Sequence, residues 1–395
     1  MITRFRVCNY KALRDVTLDL TPVHVLIGPN DSGKTSILEA LAAVCRSVDQ
    51  QLTDAFVGPW QGLDLVWQHD TAATLAFELH IETGGASFRY ELSCRPTSSG
   101  RGMRIVRENV VSASSAIDLT LKEQSFTRVW QSLSQGRGAT DEVRDLAKLV
   151  HAGISGVQFY RWTPDFLALP AASDANRRFR MEPSGFGLAR CLDDIVGYDP
   201  ERFLELQRRF IDIFPEFRAI RLVPEPAYRA PTNVEQTLLL QQMDGKGIYF
   251  ELADQRQSIR AGQASDGVLL VLAYLALLHL PDQYAPRVLL IEEPENGIHP
   301  RRLQDVLRIL RQSVQEQRQT QVLLTTHSPY VVDLFDPDEV TLCRKSENGS
   351  IAVRRLSESR TVRDQLDVFT LGEIWTGEGD DALAESLASA TEGAP

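Results

Sequence analysis

The stretch IGPNDSGKTS, residues 27–36, decides the fold of this chain. It fills the pattern G-x-x-x-x-G-K-[ST], with Gly28, Gly33, Lys34 and Thr35 at the fixed positions. The apolar run VHVLI leads into it and the helical pattern SILEAL continues from it, which is the strand–loop–helix context that the pattern requires. The alternative is a glycine-rich turn that only caps a helix. The flanking strand and helix favour a phosphate-binding loop.

The chemistry of such a loop assigns roles to its residues. Its glycines let the backbone curl so that N–H groups point at phosphate oxygens, at the positive end of a helix dipole. Lys34 would reach the β- and γ-phosphates of a nucleoside triphosphate, and the Thr35 hydroxyl would ligate Mg²⁺. The residues predicted to bind the nucleotide here are Asn30, Ser32, Gly33, Lys34, Thr35 and Ser36.

The composition is that of an ordinary globular protein. The 395 residues are 43% hydrophobic and 24% charged, which suits one large or two modest domains. The apolar run from Val268 to Leu280 is interrupted by polar residues and is too short to span a bilayer. The N-terminus MITRFRVCNY lacks the apolar core of a signal peptide, and the five cysteines are far apart with no C-x-x-C. We therefore expect a cytoplasmic protein with no membrane partner, disulfide framework or zinc site.

Two arginine clusters are the candidates for a basic face in an acidic chain. The net charge of −11 argues against nonspecific coating of a polyanion, although a local basic face could still bind one. The candidates are Arg177, Arg178 and Arg180, or Arg301 and Arg302. Because clusters of this size are usually solvated surface, DNA is kept only as a candidate partner.

The succession of predicted elements divides the chain into three parts. Residues 1–111 read as strands, phosphate loop, helix and an antiparallel hairpin, TLAFELHIE and SFRYELS, with one solvated face. Residues 112–260 change to mixed helix and loop, with one helix signalled by Asp199 and Pro200. Residues 261–395 return to alternating strands and helices. The pattern predicts an α/β nucleotide fold whose halves are separated by a long insertion.

Two adjacent glutamates end an apolar strand in the second half. In RVLLIEEPENGIHP, Glu292 and Glu293 stand at the carboxyl end of the strand and directly before a proline. An acidic residue there, next to a phosphate loop, can hold Mg²⁺, and a second carboxylate can orient or deprotonate the attacking water. Most paired glutamates are solvated surface, but the buried strand and the proline favour a functional pair.

Two further segments carry candidate residues. In LLTTHSP, His327 follows the next apolar strand, where a neutral histidine can donate a hydrogen bond to the γ-phosphate. A lone histidine is more often structural, but its spacing after the acidic strand favours function. In GQASDGVLLVLAYLALL, Ser265 and Gly267 begin an apolar helix. Two interpretations of that start stay equal on local sequence: a plain N-cap, or an anion site that grips a γ-phosphate from another subunit.

Taken together, these segments occur in the order of an ABC-type ATPase. Within that class the chain resembles the RecF/SMC/OLD branch, in its AAA_21-like form, over nearly its whole length. The stretches that carry the resemblance are NYKALRDVTLDLTPVHVLIGPNDSGKTSILEAL, SDGVLLVLAYLALL, IEEPENGIHP and TTHSP, with SGFGLARCLDDIVGYDPERFLELQRRFIDIFPEFRAIRL resembling that family's lobe. The resemblance implies an ABC-type P-loop ATPase head with an antiparallel β-subdomain and a mainly helical lobe insertion.

The resemblance also implies a role for each matching residue in ATP hydrolysis. Lys34 and Thr35 would serve the phosphates of ATP and Mg²⁺, and Glu292 would hold Mg²⁺, through water. Glu293 would be the catalytic base and His327 the switch histidine. Many ABC enzymes have aspartate where Glu292 stands, so the geometry around Mg²⁺ is expected to be looser.

A second set of implied roles concerns a dimer. Ser265 and Gly267 would be the signature that completes the ATP site of a partner subunit, although Asp266 replaces the usual second glycine. Asn296 and His299 would lie in the segment that crosses the dimer. Two ATP molecules would then be sandwiched in a head-to-tail homodimer or in a higher oligomer. The nearest candidates for the glutamine loop are Gln158 and Arg161.

Three classes of function fit such an ATPase. The first couples turnover to nucleic acid or to a separately encoded effector, as in antiphage defence or DNA repair; stimulation by DNA ends would favour it. The second is a slowly hydrolysing scaffold that sequesters a partner protein, and the third is the nucleotide-binding subunit of a transporter. The stretch between Lys34 and Ser265 is longer than a transporter subunit usually needs, which argues against the third class. The sequence lacks sustained heptads, so it does not predict an SMC-like tether. After His327 we expect a hairpin and an acidic tail rather than a TOPRIM nuclease domain, and the first class is favoured.

Overall fold

The computed structural model describes most of the chain. The described residues are 1–56, 61–100, 102–112, 116–120, 124–134, 140–174, 178–229, 240–254, 257–315 and 320–388. They divide into two compact units. The first unit is Met1–Phe159, Pro286–Ile291 and Gln319–Pro395, and the second is Tyr160–Ala285 and Glu292–Arg318.

Groups of strands and groups of helices follow one another along the chain. The strands are β1 Ile2–Tyr10, β2 Leu13–Asp19, β3 Val23–Ile27, β4 Leu75–Thr83, β5 Ala86–Pro96, β6 Met103–Ser112, β7 Ala116–Asp118, β8 Val157–Tyr160, β9 Ala171–Ala172, β10 Phe217–Tyr228, β11 Leu240–Leu252, β12 Ser258–Arg260, β13 Val288–Glu292, β14 Gln321–Thr325, β15 Val340–Lys345 and β16 Ile351–Arg355. The helices are α1 Lys34–Arg46, α2 Leu52–Ala55, α3 Arg128–Ser134, α4 Asp141–Ile154, α5 Pro164–Leu167, α6 Leu188–Tyr198, α7 Pro200–Ile213, α8 Asp266–Leu278, α9 Pro300–Gln315, α10 Pro329–Val332, α11 Arg360–Gln365 and α12 Leu371–Ala388.

One sheet of the first unit is antiparallel throughout, in the order β2-β1-β4-β5-β6-β7. Side chains in β4 alternate between the core and the half-exposed face, because successive residues of a strand point to opposite sides. The predicted hairpin is confirmed as β4 and β5, with Leu79 opposite Tyr90. Gly84 and Gly85 form its turn with positive φ, which glycine adopts without steric cost.

The other sheet of the first unit contains the phosphate loop, in the order β16-β15-β3-β14-β13-β8. β3 is buried along its whole length and pairs in parallel with both β14 and β15. The starts of β8, β13 and β14 are joined by two hydrogen bonds: Arg287 N to Gly156 O at 3.2 Å and Gln321 N to Arg287 O at 2.8 Å. These strands therefore run in one direction, and β3, β13 and β14 end at the same edge of the sheet.

The second unit is built around α8. This helix is apolar on every side, from Val268 to Leu278, because it packs against α5, α6, α7 and α9. A stack of aromatic rings forms a further part of the core, with Phe210 between Phe217 and Phe250 at centroid distances of 5.7 and 5.5 Å. The helix predicted to begin at Asp199 is confirmed as α7. The Asp199 carboxylate accepts hydrogen bonds from backbone N–H groups of the first turn of α7.

Residues 112–260, the predicted insertion, contribute to both compact units. Its first part joins the first unit, where α4 packs on β4 with Gly153 so close that a Cβ would lie 2.6 Å from Ile81. Its second part includes the long antiparallel pair β10–β11, which the sequence did not predict. Pro224, Pro226, Gly245 and Gly247 interrupt the strand pattern there, and a Cβ on Gly245 would lie 2.2 Å from that of Ala227.

Within the described part of the chain, no helix combines the length and apolar character needed to cross a membrane.

Candidate nucleotide-binding and hydrolysis site

The phosphate loop joins β3 to α1 through backbone that only glycine accommodates. Gly28 has φ of 135°, and a Cβ on it would lie 2.1 Å from the carbonyl oxygen of Cys343. Gly33, the N-cap of α1, has φ of 83°, and its Cβ would lie 2.6 Å from Cγ1 of Ile351. Both contacts come from the β15–β16 hairpin. The hairpin thus holds the loop tightly against the sheet and leaves room for no other residue at either position.

Lys34 lies across this loop. Its ammonium Nζ donates hydrogen bonds to the carbonyl oxygens of Gly28 and Pro29, at 2.9 and 2.8 Å, and to Oγ of Ser32 at 3.3 Å. The residue is almost completely buried. Burial raises the pKa of the neighbouring Cys343 thiol to about 12, and the Lys34 charge works in the opposite direction. The loop therefore keeps one cation fixed at its centre.

The other predicted nucleotide residues occupy the loop and the first turn of α1. Asn30 is exposed, Ser32 is buried, and Thr35 and Ser36 are half-buried. Gly33 has no side chain to cap the start of α1, and the backbone N–H groups of its first turn point towards the loop. The structure thus places these residues together, as the motif predicts.

Sequence reasoning missed the residues that support the loop from outside. Asp31 has a left-handed backbone, with φ of 63°, and forms an ion pair with Lys345 of β15. Together with Cys343 and Ile351, Lys345 comes from a hairpin that the sequence predicts but does not connect to the loop. The local sequence of the hairpin does not indicate that β15 is the parallel neighbour of β3.

His327 follows β14 at the edge of the sheet that also carries the phosphate loop. The backbone there is fixed on both sides: Thr326 N donates to Leu26 O at 3.1 Å, and Ser328 N donates to Oγ1 of Thr326 at 3.0 Å. His327 is half-buried between them. Because β3 and β14 are adjacent and parallel, the histidine and the loop follow neighbouring strand ends, as the sequence predicts.

The paired glutamates belong to the second unit, where they begin a tight turn. The Glu292 side chain is only 7% exposed, and Nε of Arg161 lies 3.7 Å from its Oε2. Glu293 has φ of 48°, a left-handed backbone that is uncommon for a residue with a side chain. Nδ2 of Asn296 donates to Oε2 of Glu293 at 2.6 Å, and Asn296 N donates to Glu293 O at 3.1 Å. The turn therefore fixes the Glu293 carboxylate.

The start of α8 packs against this same turn. Ser265 is the exposed N-cap residue, but its hydroxyl makes no capping hydrogen bond within the described residues. A Cβ on Gly267 would lie 3.4 Å from Gly297 O, and one on Gly297 would lie 3.2 Å from Cβ of Asp266. Ser265 and Gly267 are thus brought beside the Glu293–Gly297 turn within one unit.

The remaining predictions have mixed outcomes. Gln158 lies inside β8, whereas Arg161 follows that strand and contacts Glu292. In the predicted basic clusters, Arg178 pairs with Asp194 at 3.6 Å and Arg302 lies over the Phe214 ring at 5.0 Å. Arg177 and the side chain of Arg301 lie outside the described residues. Arg178 and Arg302 thus already have partners within the chain.

Two comparisons with known protein sequences find matches over most of the chain. The model of the AAA_21 family, described as "AAA domain, putative AbiEii toxin, Type IV TA system", matches residues 23–333. An "OLD nuclease" from Thermus scotoductus is 23% identical over 419 aligned residues, which cover 100% of this chain and 72% of that protein.

Solved structures show the fold. A SmcHead bound to the C-winged helix domain of ScpA superposes with a TM-score of 0.52 at 15% identity, over 90% of this chain and 98% of that one. A Smc head domain with an extended coiled coil, bound to the C-terminal domain of ScpA derived from Pyrococcus furiosus, superposes with a TM-score of 0.50 at 12% identity. That superposition covers 93% of this chain and 99% of the other. The predicted fold class, an ABC-type P-loop ATPase head, is confirmed.

Proposed function

The chain belongs to the AAA_21 family of ATPases, and from that premise we propose that it binds ATP with Mg²⁺ at the loop of residues 28–36 and hydrolyses it. The observation that carries the proposal is the loop itself. It fixes the Lys34 ammonium on two carbonyl oxygens, and it excludes side chains at Gly28 and Gly33. A tightly packed loop of this kind at the start of a helix presents backbone N–H groups, which favour binding of a phosphate chain.

The residues present fit both the nucleotide and the metal. A triphosphate needs backbone N–H donors and a cation, which the start of α1 and Lys34 supply. Mg²⁺ is usually held by one or two protein oxygens together with phosphates and water. Thr35 and Glu292 would supply those oxygens, and bound Mg²⁺ would neutralise phosphate charge.

The catalytic roles follow from the chemistry of the side chains. Asn30, Ser32, Gly33 and Ser36 would bind the phosphates through their backbone and short side chains. Glu293 would take a proton from the attacking water, since its carboxylate is held in one orientation by Asn296. His327, beyond β14, would donate a hydrogen bond to the γ-phosphate and stabilise the charge that develops there.

We further propose a head-to-tail homodimer, or a higher oligomer, closed by ATP. Ser265 and Gly267 would form the surface that meets the γ-phosphate of the partner subunit, because the start of α8 exposes N–H groups and an uncapped hydroxyl. Its packing against the Glu293–Gly297 turn supports this, since one rigid surface would then carry the signature, Asn296 and His299. In solution, the Glu293→Gln variant should have twice the monomer mass with ATP and the monomer mass with ADP.

The cellular role is proposed from the relatives. One is named an OLD nuclease, and the Smc heads are bound to a separate protein, ScpA. We propose that this chain likewise couples ATP turnover to nucleic acid or to a separately encoded effector, in antiphage defence or in DNA repair or maintenance.

The experiment that tests the role is steady-state ATP hydrolysis with and without linear duplex DNA, with Lys34→Ala as the blank. Turnover that rises with DNA supports a nucleic-acid-coupled ATPase. Measurable turnover that ignores DNA assigns the coupling to a protein effector. If the wild-type rate equals that of the blank with and without DNA, the proposal that this chain hydrolyses ATP is wrong.

A further inference from the structure

A surface of three apolar side chains lies at the turn between α11 and α12. Residues Leu366 to Thr370 are all exposed, and we call them the Leu366–Thr370 surface. Val368 is 75% exposed, Phe369 50% and Leu366 38%, which places them among the most exposed large hydrophobic residues of the described chain. Single exposed apolar residues are common, but three within four positions form a local apolar patch.

The backbone of this surface is firmly held. Val368 N and Phe369 N both donate to Gln365 O at 3.0 Å. Thr370 then caps α12: its N–H donates to Oε2 of Glu373 at 2.9 Å, and Glu373 N donates to its Oγ1 at 3.3 Å. The exposed apolar side chains are therefore carried by a turn whose backbone is held by hydrogen bonds.

The neighbouring helix α10 anchors the turn to the body of the first unit. Gly372 N donates to Oδ1 of Asp333 at 2.7 Å, and a Cβ on Gly372 would lie 2.4 Å from Pro329 O. Tyr330, the residue after Pro329, is itself 61% exposed. The surface is thus a rigid part of the ATPase head, built on the segment that directly follows His327.

The charge around the surface is mostly negative. From Asp364 to the last residue, the sequence contains eight acidic residues and no lysine, arginine or histidine. Asp364, Asp367, Glu373 and Glu378 are exposed and close to the apolar residues in sequence. Arg360 and Arg363 are the exposed cations of α11, and Arg360 pairs with Asp364 at 3.4 Å. Apolar groups bordered by carboxylates complement a partner that offers apolar side chains flanked by lysine or arginine, and they repel an acidic partner such as nucleic acid.

We propose that the Leu366–Thr370 surface binds a basic amphipathic segment of a separately encoded protein. Val368 and Phe369 would be its apolar anchors, and the carboxylates around them would select a basic partner. This inference rests on the part of the proposed function that gives the ATPase a protein effector. It is independent of ATP hydrolysis, because none of these residues belongs to the nucleotide site.

The test uses a fluorescent lysine–leucine peptide, designed as an amphipathic helix, as the probe, and measures its anisotropy with the full chain. The double variant Val368→Ser with Phe369→Ser should bind it at least about tenfold more weakly, since two apolar anchors are lost. Leu204→Ser, which changes an exposed leucine on α7, is the matched control and should bind like the wild type. A glutamate–leucine peptide of the same design should not bind.

Further measurements keep the proposal falsifiable. Asp367→Lys should weaken binding mainly at low salt, because it reverses a charge without removing an apolar anchor. ATP affinity should be unchanged in every variant, so a failure of the docking proposal is distinguishable from a failure of the ATP site. Equal binding of the double variant and the wild type overturns the proposal. So does wild-type self-association that the double variant loses, which would assign the surface to a second copy of this chain.

Discussion

Asn296 donates a hydrogen bond from Nδ2 to Oε2 of Glu293 at 2.6 Å, and Glu293 has a left-handed backbone with φ of 48°. A left-handed residue with a side chain costs about 1 kcal/mol or more, so the fold must hold it in place. The turn does so through Asn296, which also donates its backbone N–H to Glu293 O. A carboxylate held in one orientation is what a general base for water requires.

Asn296→Ala should therefore slow ATP hydrolysis more than it weakens ATP binding. We expect kcat to fall by about tenfold to a hundredfold, because the base is no longer oriented, while KM stays nearly constant. Asn296→Asp should be at least as slow, since it places a like charge beside Glu293. Steady-state kinetics at saturating ATP measures both effects. A wild-type kcat in Asn296→Ala would show that the contact is only structural.

Lys34→Ala should abolish ATP binding. The variant removes the side-chain cation that the loop holds at its centre, and we expect affinity to fall by about a hundredfold or more. The matched control is Lys345→Ala, which removes an exposed lysine that pairs with Asp31 from outside the loop. Its affinity should stay within about threefold, because exposed ion pairs contribute little. Titration with a fluorescent ATP analogue separates the two variants.

Gly28→Ala should destabilise the fold as well as the site. The new Cβ would collide with Cys343 O and force the β15–β16 hairpin away from the loop, at a cost of roughly 3 kcal/mol. Gly262→Ala is the control, since a Cβ there would meet open space. Urea unfolding of both variants compares the free energies of unfolding. Equal values for the two variants would contradict the close packing of the loop.

Ser265→Arg should block ATP-dependent dimerisation and leave ATP binding to the monomer intact. The arginine would project from the exposed start of α8, where we propose that the partner subunit's nucleotide docks. Ser258→Arg makes the same change at another exposed serine of the second unit, in β12, and should dimerise normally. Light scattering in the Glu293→Gln background gives the mass of each. A dimer of Ser265→Arg with ATP would refute the proposed interface.

His24 should make the protein less stable in mild acid. It lies buried in β3, with Nδ1 3.0 Å from Oγ1 of Thr21 and Nε2 2.9 Å from Oγ1 of Thr341. Burial lowers its pKa from 6.5 to about 3, with a smaller contribution from Arg355. Between these values the unfolded chain binds the proton and the native protein does not, so stability falls as the pH drops.

From pH 7 to pH 5, this effect amounts to about 2 kcal/mol of the free energy of unfolding. His24→Gln cannot titrate and can still hydrogen-bond the two threonines, so the difference between pH 7 and pH 5 should shrink by about that amount. Urea unfolding of both proteins at each pH measures it. The same pH dependence in both would show that His24 does not titrate in this way.

The parts of the fold that sequence could predict are those with local signals. The phosphate loop has a fixed pattern between a buried strand and a helix, and the β4–β5 hairpin has strict alternation and a Gly84–Gly85 turn. Asp199 as N-cap and Pro200 in the first turn likewise predict the start of α7. Each signal lies within about ten residues, and each is confirmed.

Long-range packing left no such signal. The contact of Gly28 with Cys343 joins residues far apart in the chain, and it depends on β15 pairing with β3. The pairing of β10 with β11 was also missed, because its prolines and glycines weaken the strand pattern. The left-handed backbone of Glu293 and its bond to Asn296 likewise come from a turn whose geometry the residue types alone do not fix.

We propose that this chain hydrolyses ATP with Glu293 as the base, and a comparison of the wild type with Glu293→Gln at saturating MgATP tests this. Steady-state phosphate release and nucleotide occupancy are measured on the same samples. We predict that the variant keeps its bound ATP and that its turnover falls by about a hundredfold or more, since a general base contributes that much. Turnover by Glu293→Gln at the wild-type rate would show that Glu293 is not the base.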